Sequence, residues 1–145
     1  MDDGQKADQA KPLLKWSEAY SVGDVLLDKD HQSLMDAING LTVEIRNGQL
    51  DQDGIRRRIL ALVKSQEEHD AREEAILASL NFPWLAEHHQ SHESLEGRLK
   101  AFYSVSLGPE ERDDLLDFLK DWFIQHVLVQ DMHYKTFILE RRDQG

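Results

Sequence analysis

His69 and Glu73 stand four residues apart in "HDAREE", and His88 and His92 stand four apart in "HHQSH". On an α-helix that spacing sets two side chains about 40° apart around the axis and on adjacent turns, close enough to serve one metal ion. His31, His126 and Asp131 offer further nitrogen and oxygen donors. Cysteine is absent, which excludes thiolate zinc sites, iron–sulfur clusters, disulfides and cysteine nucleophiles together. Any metal must sit on nitrogen and oxygen.

Other metal chemistries can be tested against the letters. Ferritin-like di-iron sites need glutamate three residues before histidine. The positions three before the histidines hold Asp28, Gln66, Leu85, Ala86, His89, Phe123 and Gln130. A zinc peptidase would need HExxH, and "HHQSH" has His89 where the glutamate belongs. There is no glycine-rich phosphate loop and no GxSxG elbow, so nucleotide and acyl-transfer chemistry have no motif here.

The elements that must carry these donors follow from the periodicity. His31, Leu34, Met35, Ile38, Leu41 and Ile45 recur at three and four, and "NG" at Asn47 and Gly48 ends that helix. A second helix is expected from about Asp53 to Leu80, with Ile55, Ile59, Leu62, Gln66, His69, Glu73, Ile76 and Leu80 on one stripe before "NFPW" turns the chain. Leu85, His88, His92, Leu95, Leu99 and Phe102 define a third. Pro109 opens the fourth, which runs through Leu115, Leu119, Trp122, Phe123 and His126 and continues irregularly to Leu139. No segment alternates with the two-residue period of a strand, so the expected fold is an all-α, antiparallel up-down-up-down four-helix bundle.

All four stripes carry histidine where leucine or valine would serve packing. One histidine on an apolar face is ordinarily a hydrogen-bonded core residue. Five on converging faces are costly to bury unless a shared metal partners them. His126 and Asp131 are five apart, which splays them by about 140° on a regular helix, so both can face the core only if the helix breaks or bulges between them. Taken alone, Asp131 reads as a solvated surface residue.

The chain has 145 residues, enough for one domain with a real core. Its formal charge of −11 disfavours nucleic acid and anionic membrane surfaces as partners. No apolar run approaches the length needed to cross a bilayer and the polar start has no signal-peptide core, so a cytoplasmic protein is expected. Residues 1–12 are expected to be a flexible tail and residues 13–145 the bundle.

The ordered motifs resemble the hemerythrins, most closely the single-domain bacterial ones, from about Leu14 to Leu139. Trp16 and Val22-Gly23 lead into Asp28-x-x-His31, His69 and Glu73 match HxxxE, and Phe82, Pro83, His88 and His92 match an aromatic-proline turn followed by HxxxH. Trp122, His126, Asp131 and Tyr134 match WxxxHxxxxDxxY.

The resemblance implies two non-haem iron ions joined by an oxo or hydroxo bridge. His31 and His69 would bind one, His88, His92 and His126 the other, and Glu73 and Asp131 would span both. Coordination arithmetic then leaves one position free on the two-histidine iron, where dioxygen would bind reversibly. The implied pocket is apolar, with Leu34, Trp122, Phe123 and Val127 as candidate walls and Tyr134 as a hydrogen-bond donor to a bridging carboxylate. Phenylalanine commonly follows the second-helix histidine in this family; here that residue is Asp70, which is expected to rotate outward onto a solvated face. His89 and His133 have no family role and are expected at the surface.

The expected function is oxygen storage, delivery or buffering by a binding protein rather than an enzyme, with dioxygen as the partner. Such domains also occur attached to signalling proteins, which makes an oxygen or redox sensor the first alternative; a signalling domain or an oxygen-consuming enzyme would then be the partner. Reduction of peroxide or nitric oxide is the second alternative, and a zinc-bound or metal-free structural bundle the third. Five nitrogens and two carboxylates admit zinc or manganese as well, so the choice of iron rests on the resemblance.

Overall fold

The computed structural model describes residues 12–144. Four helical rods follow a short 3-10 turn at Glu18–Tyr20: α1 (Val25–Arg46), α2 (Gln52–Ser79), α3 (Leu85–Ala101), and a fourth made of α4 (Pro109–Ile124), a π-helical segment (Gln125–Asp131) and α5 (Met132–Gln144). A 3-10 turn at Phe102–Ser104 ends the third rod. There is no strand among the described residues. Neighbouring rods α1 and α2, α2 and α3, and α1 and α4 pack directly, as the expected four-helix bundle requires.

The helix ends are written locally. Asp24 and Asp51 cap α1 and α2, their side chains accepting from the backbone N–H of Leu27 and Gly54. At the other end of α1, Gly48 takes a φ of +66°, Gly48 N–H donates to Ile45 O and Gln49 N–H to Glu44 O. That pair of bonds is a Schellman closure, and the left-handed residue it requires is why "NG" stops the helix. Asn81, with φ +59°, repeats the device after α2, where Phe82 N–H donates to Leu77 O and both side chains pack in one apolar cluster. Pro109 begins α4, and Glu111 accepts from the Gly108 N–H.

Of the expected tail, residues 1–11 lie outside the described residues. Pro12 is already tied down, its carbonyl accepting from Lys120 Nζ at 2.7 Å. Leu14 exchanges two hydrogen bonds with the Asn39 side chain of α1.

The core is split in two. One apolar cluster gathers Leu34, Ile38, Leu62, Leu95, Trp122, Phe123 and Val127 among others, and a second gathers Leu27, Leu77, Phe82, Tyr134 and Ile138. Between them, on every rod, lies a layer of buried polar side chains: His31, then Gln66, His69, Asp70 and Glu73, then His88 and His92, then His126 and Asp131.

The π segment is the distortion that the spacing of His126 and Asp131 demands. Its hydrogen bonds run from i to i+5, which brings residues about five apart onto one face. His126 and Asp131 are both fully buried as a result.

Candidate metal centre

The seven residues proposed from sequence as ligands, His31, His69, Glu73, His88, His92, His126 and Asp131, all lie in the polar layer and all are buried. They converge from all four rods. Glu73 turns Oε2 towards His69 Nε2 at 3.2 Å and His31 Nε2 at 3.9 Å, and Oε1 towards His92 Nε2 at 2.8 Å and the neighbouring His88 Nε2. Asp131 repeats the pattern: Oδ2 lies 2.8 Å from His31 Nε2 and 3.1 Å from His126 Nε2, while Oδ1 lies 3.3 Å from His88 Nε2. Each carboxylate therefore presents one oxygen to the His31–His69 group and the other to the His88–His92 group.

His126 stands between those groups. The resemblance places it with His88 and His92, yet its Nε2 is 3.4 Å from His69 Nε2, and its ring centroid is 5.4 Å from those of His31 and His69 and 5.5 Å from that of His92.

Several of these close approaches are not hydrogen bonds. His31 Nε2, His92 Nε2 and both oxygens of Asp131 are buried with no hydrogen-bonding partner, although His31 Nε2 and Asp131 Oδ2 are only 2.8 Å apart. Nitrogen and oxygen atoms at that distance but off the N–H direction are arranged as ligand atoms around a common point. For metal–ligand bonds of about 2.1 Å, neighbouring donors in an octahedron sit roughly 3 Å apart. The residues fit metal binding, and three overlapping sets of donors each lie within 4.8 Å of one another: His31, His69, Glu73, His126 and Asp131; Glu73, His88, His92 and Asp131; and Asp70, His92 and His126.

The electrostatics keep the two shared carboxylates anionic. Burial pushes Glu73 up, but the imidazoles of His69, His88 and His92 set against it outweigh that and hold the group well below the usual carboxylate range. Asp131 is likewise lowered, with His126, His31 and His88 overcoming burial and the neighbouring Glu73. Burial would lower His69 and His88, yet their acidic partners raise each to about 10. His126 has too little compensation and burial takes it down to about 3.

Outer hydrogen bonds orient the imidazoles. His69 Nδ1 faces Asp30 Oδ2 at 2.9 Å, and Arg72 holds the same carboxylate through Nε and Nη2, both at 2.9 Å. Although burial opposes it, His69 and Arg72 together lower Asp30 to about 2. Glu74 bridges His92 Nδ1 at 2.7 Å and His89 Nδ1 at 2.8 Å, and Tyr134 Oη donates to Glu73 Oε2 at 2.7 Å. With Nδ1 held as a donor, Nε2 of His69 and of His92 would give its lone pair to a metal that displaces the proton there. Asp30→Asn is expected to weaken metal binding about 10- to 100-fold while leaving the helical spectrum intact, measured by competition with a chromophoric chelator. Unchanged affinity would reduce Asp30 to a surface partner of Arg72.

Sequence reasoning missed Asp30 and Glu74. The usable signal is that a metal-binding imidazole needs its second nitrogen held, which directs attention to acids adjacent to ligands on neighbouring rods: Asp30 beside His31 and Glu74 beside Glu73.

The expectation for Asp70 is overturned. It is buried, 7% exposed, and faces the interior, where Gln66 Nε2 donates to its Oδ1 at 2.8 Å and His92 Nε2 lies 3.4 Å away. Burial pushes it up to about 6, against the pull of His92 and His69. The reason is geometric: at this level α2 packs on α1 along its His69 side and on α3 along its Asp70 side, so its covered arc is wider than a single stripe. His89 is half exposed and His133 exposed, as expected. Leu34, Trp122, Phe123 and Val127 are buried in the apolar cluster on one side of the layer, and Tyr134 in the cluster on the other.

Residues 22–138 match the family model of the hemerythrin HHE cation binding domain. The chain belongs to the hemerythrin family. Among its relatives, a bacteriohemerythrin of Ralstonia nicotianae is 26% identical over 90% of this chain and 92% of its own length. A myohemerythrin of Riftia pachyptila is 28% identical over 83% of this chain and 89% of its own. A bacteriohemerythrin of Clostridium acetobutylicum is 26% identical over 84% and 98%. The matched span of the hemerythrin domain contains all seven converging residues, and no helix among the described residues is long and apolar enough to cross a membrane.

Proposed function

We propose that this hemerythrin is a non-haem di-iron protein that binds dioxygen reversibly, for storage, delivery or buffering, and is not an enzyme. The observation that supports this reading best is the pair of carboxylates, Glu73 and Asp131, each offering one oxygen to either imidazole group. His31 and His69 would hold one iron and His88 and His92 the other. His126, set between the groups, would complete the donor set, and an oxo or hydroxo bridge would join the ions. An iron pair held there would supply the two electrons that reversible binding of dioxygen draws on.

The chain's own contributions are positional. Tyr134 Oη holds Glu73 Oε2, and Asp30 and Glu74 hold imidazole rings. Leu34, Trp122, Phe123 and Val127 form a dry wall beside the layer, which limits water and protons reaching a bound ligand.

The test is a gas cycle on iron-analysed protein: anaerobic reduction, admission of air, and removal of oxygen, followed in the near-ultraviolet and visible. Two irons per chain and a charge-transfer band that comes and goes with oxygen are expected. Direct passage to a stable ferric spectrum would overturn reversible binding. The inward position of Asp70, which brings a polar group into the layer, favours redox sensing or peroxide reduction as the reading that would replace it.

A further inference from the structure

Besides the seven converging residues, the polar layer holds the buried side chains of Gln66 and Asp70. The other buried polar groups among the described residues, Asp24 and Thr42, are bonded to their own helix, Asp24 accepting from Leu27 N–H and Thr42 donating to Ile38 O. Gln66 Nε2 donates to Asp70 Oδ1 at 2.8 Å and stands 3.4 Å from His126 Nε2. A carboxylate only accepts, so Asp70 fixes which end of the amide is nitrogen and occupies one of its N–H groups. The other N–H has His126 Nε2 as its neighbour.

That neighbour is itself a metal-facing atom. His126 Nε2 lies 3.1 Å from Asp131 Oδ2 and 3.4 Å from His69 Nε2, so in a loaded layer its lone pair goes to the metal and the amide N–H is left without an acceptor. A buried donor in that state favours any ligand that brings a lone pair to it. Gln66 is one turn from His69 towards Leu62, as Leu34 is one turn from His31, and Leu34 and Leu62 share the apolar cluster that contains Trp122, Phe123 and Val127. The amide is therefore a polar donor set into the dry wall beside His31 and His69, the group whose iron keeps an exchangeable position in the di-iron reading.

We infer that Gln66 donates a hydrogen bond to dioxygen or a small anion bound in the layer, and that Asp70 is the positioning residue that aims the amide. The inference rests on the di-iron reading above. It gives the inward carboxylate a part: an amide held by one N–H cannot swing away, so less freedom is lost when the ligand arrives. It also sets a preference for ligands with a lone pair on an atom beyond the one bound to metal.

The experiment is azide binding and release by the full-length, iron-loaded diferric protein, followed by stopped flow at the azide-to-iron charge-transfer absorption. Gln66→Leu is expected to release azide about tenfold faster, with association within about twofold of the unaltered chain and iron content unchanged, because a buried hydrogen bond to a charged partner is worth at least that factor. Asp70→Leu and Asp70→Asn remove the same charge, but only asparagine keeps an acceptor oxygen for the amide. Release is expected to be about threefold or more faster from the leucine variant than from the asparagine variant. Release from Gln66→Leu within about twofold of the unaltered chain overturns the hydrogen bond and leaves the di-iron reading standing. Should Gln66→Leu not retain iron, equal release by the two Asp70 variants overturns it instead. An unaltered chain that takes up no iron or binds no azide overturns both.

Discussion

Glu73→Gln is expected to yield a folded bundle that no longer retains a full complement of metal. Glu73 is the most shared group in the layer, touching His69, His88 and His92 and accepting the Tyr134 hydroxyl. Glutamine keeps the shape but loses the charge that the three imidazoles stabilise, and it turns an N–H2 group towards nitrogens that need an acceptor or a metal. Changes outside the ligand set already cost about 10- to 100-fold in affinity, so removal of a shared anionic ligand should cost at least a hundredfold. Metal content after gel filtration, measured beside far-ultraviolet circular dichroism, checks this. A variant that keeps as much metal as the parent chain would show that Glu73 is not a ligand.

Removing metal is expected to lower the melting temperature by roughly 10 °C or more. The polar layer separates two apolar clusters, and several of its atoms, including His31 Nε2, His92 Nε2 and both oxygens of Asp131, have no hydrogen-bonding partner. Each such buried atom costs about 1–3 kcal/mol. A metal that binds only the folded chain adds about 4 kcal/mol when present at a thousand times its dissociation constant. In a domain of this size each kcal/mol is worth roughly 3–5 °C. Thermal unfolding of the loaded protein before and after chelation measures the difference. Coincident melting curves would mean that the layer is satisfied without metal and that the bundle is primarily structural.

Most of the bundle is readable from short stretches because its causes are local. "NG" and "NFPW" stop helices through left-handed residues at Gly48 and Asn81, and the ligand spacings within α2 and α3 are fixed by the α-helical turn. What depends on a neighbouring rod is harder to read. Asp70 looks like one more acid in "HDAREE", and only the packing of α3 against α2 shows that it is covered. Asp30 and Glu74 find imidazoles on other helices, at separations of 39 and 18 residues that no local pattern encodes. The position of His126 between two groups depends likewise on all four rods meeting at one level.

The π segment also acts as a phase shifter. Up to its first residues, the buried Leu115, Leu119, Trp122 and His126 advance by four, three and four. The same steps repeated would reach Gln130, His133 and Phe137, none of which is fully buried; Asp131, Tyr134 and Ile138 are buried instead, each one position later. A chain one residue shorter between His126 and Asp131 would bury the same faces as an unbroken α-helix, with imidazole and carboxylate four apart, as His69 and Glu73 are. Packing of the rod does not call for the additional residue, so it belongs to the geometry of the metal layer.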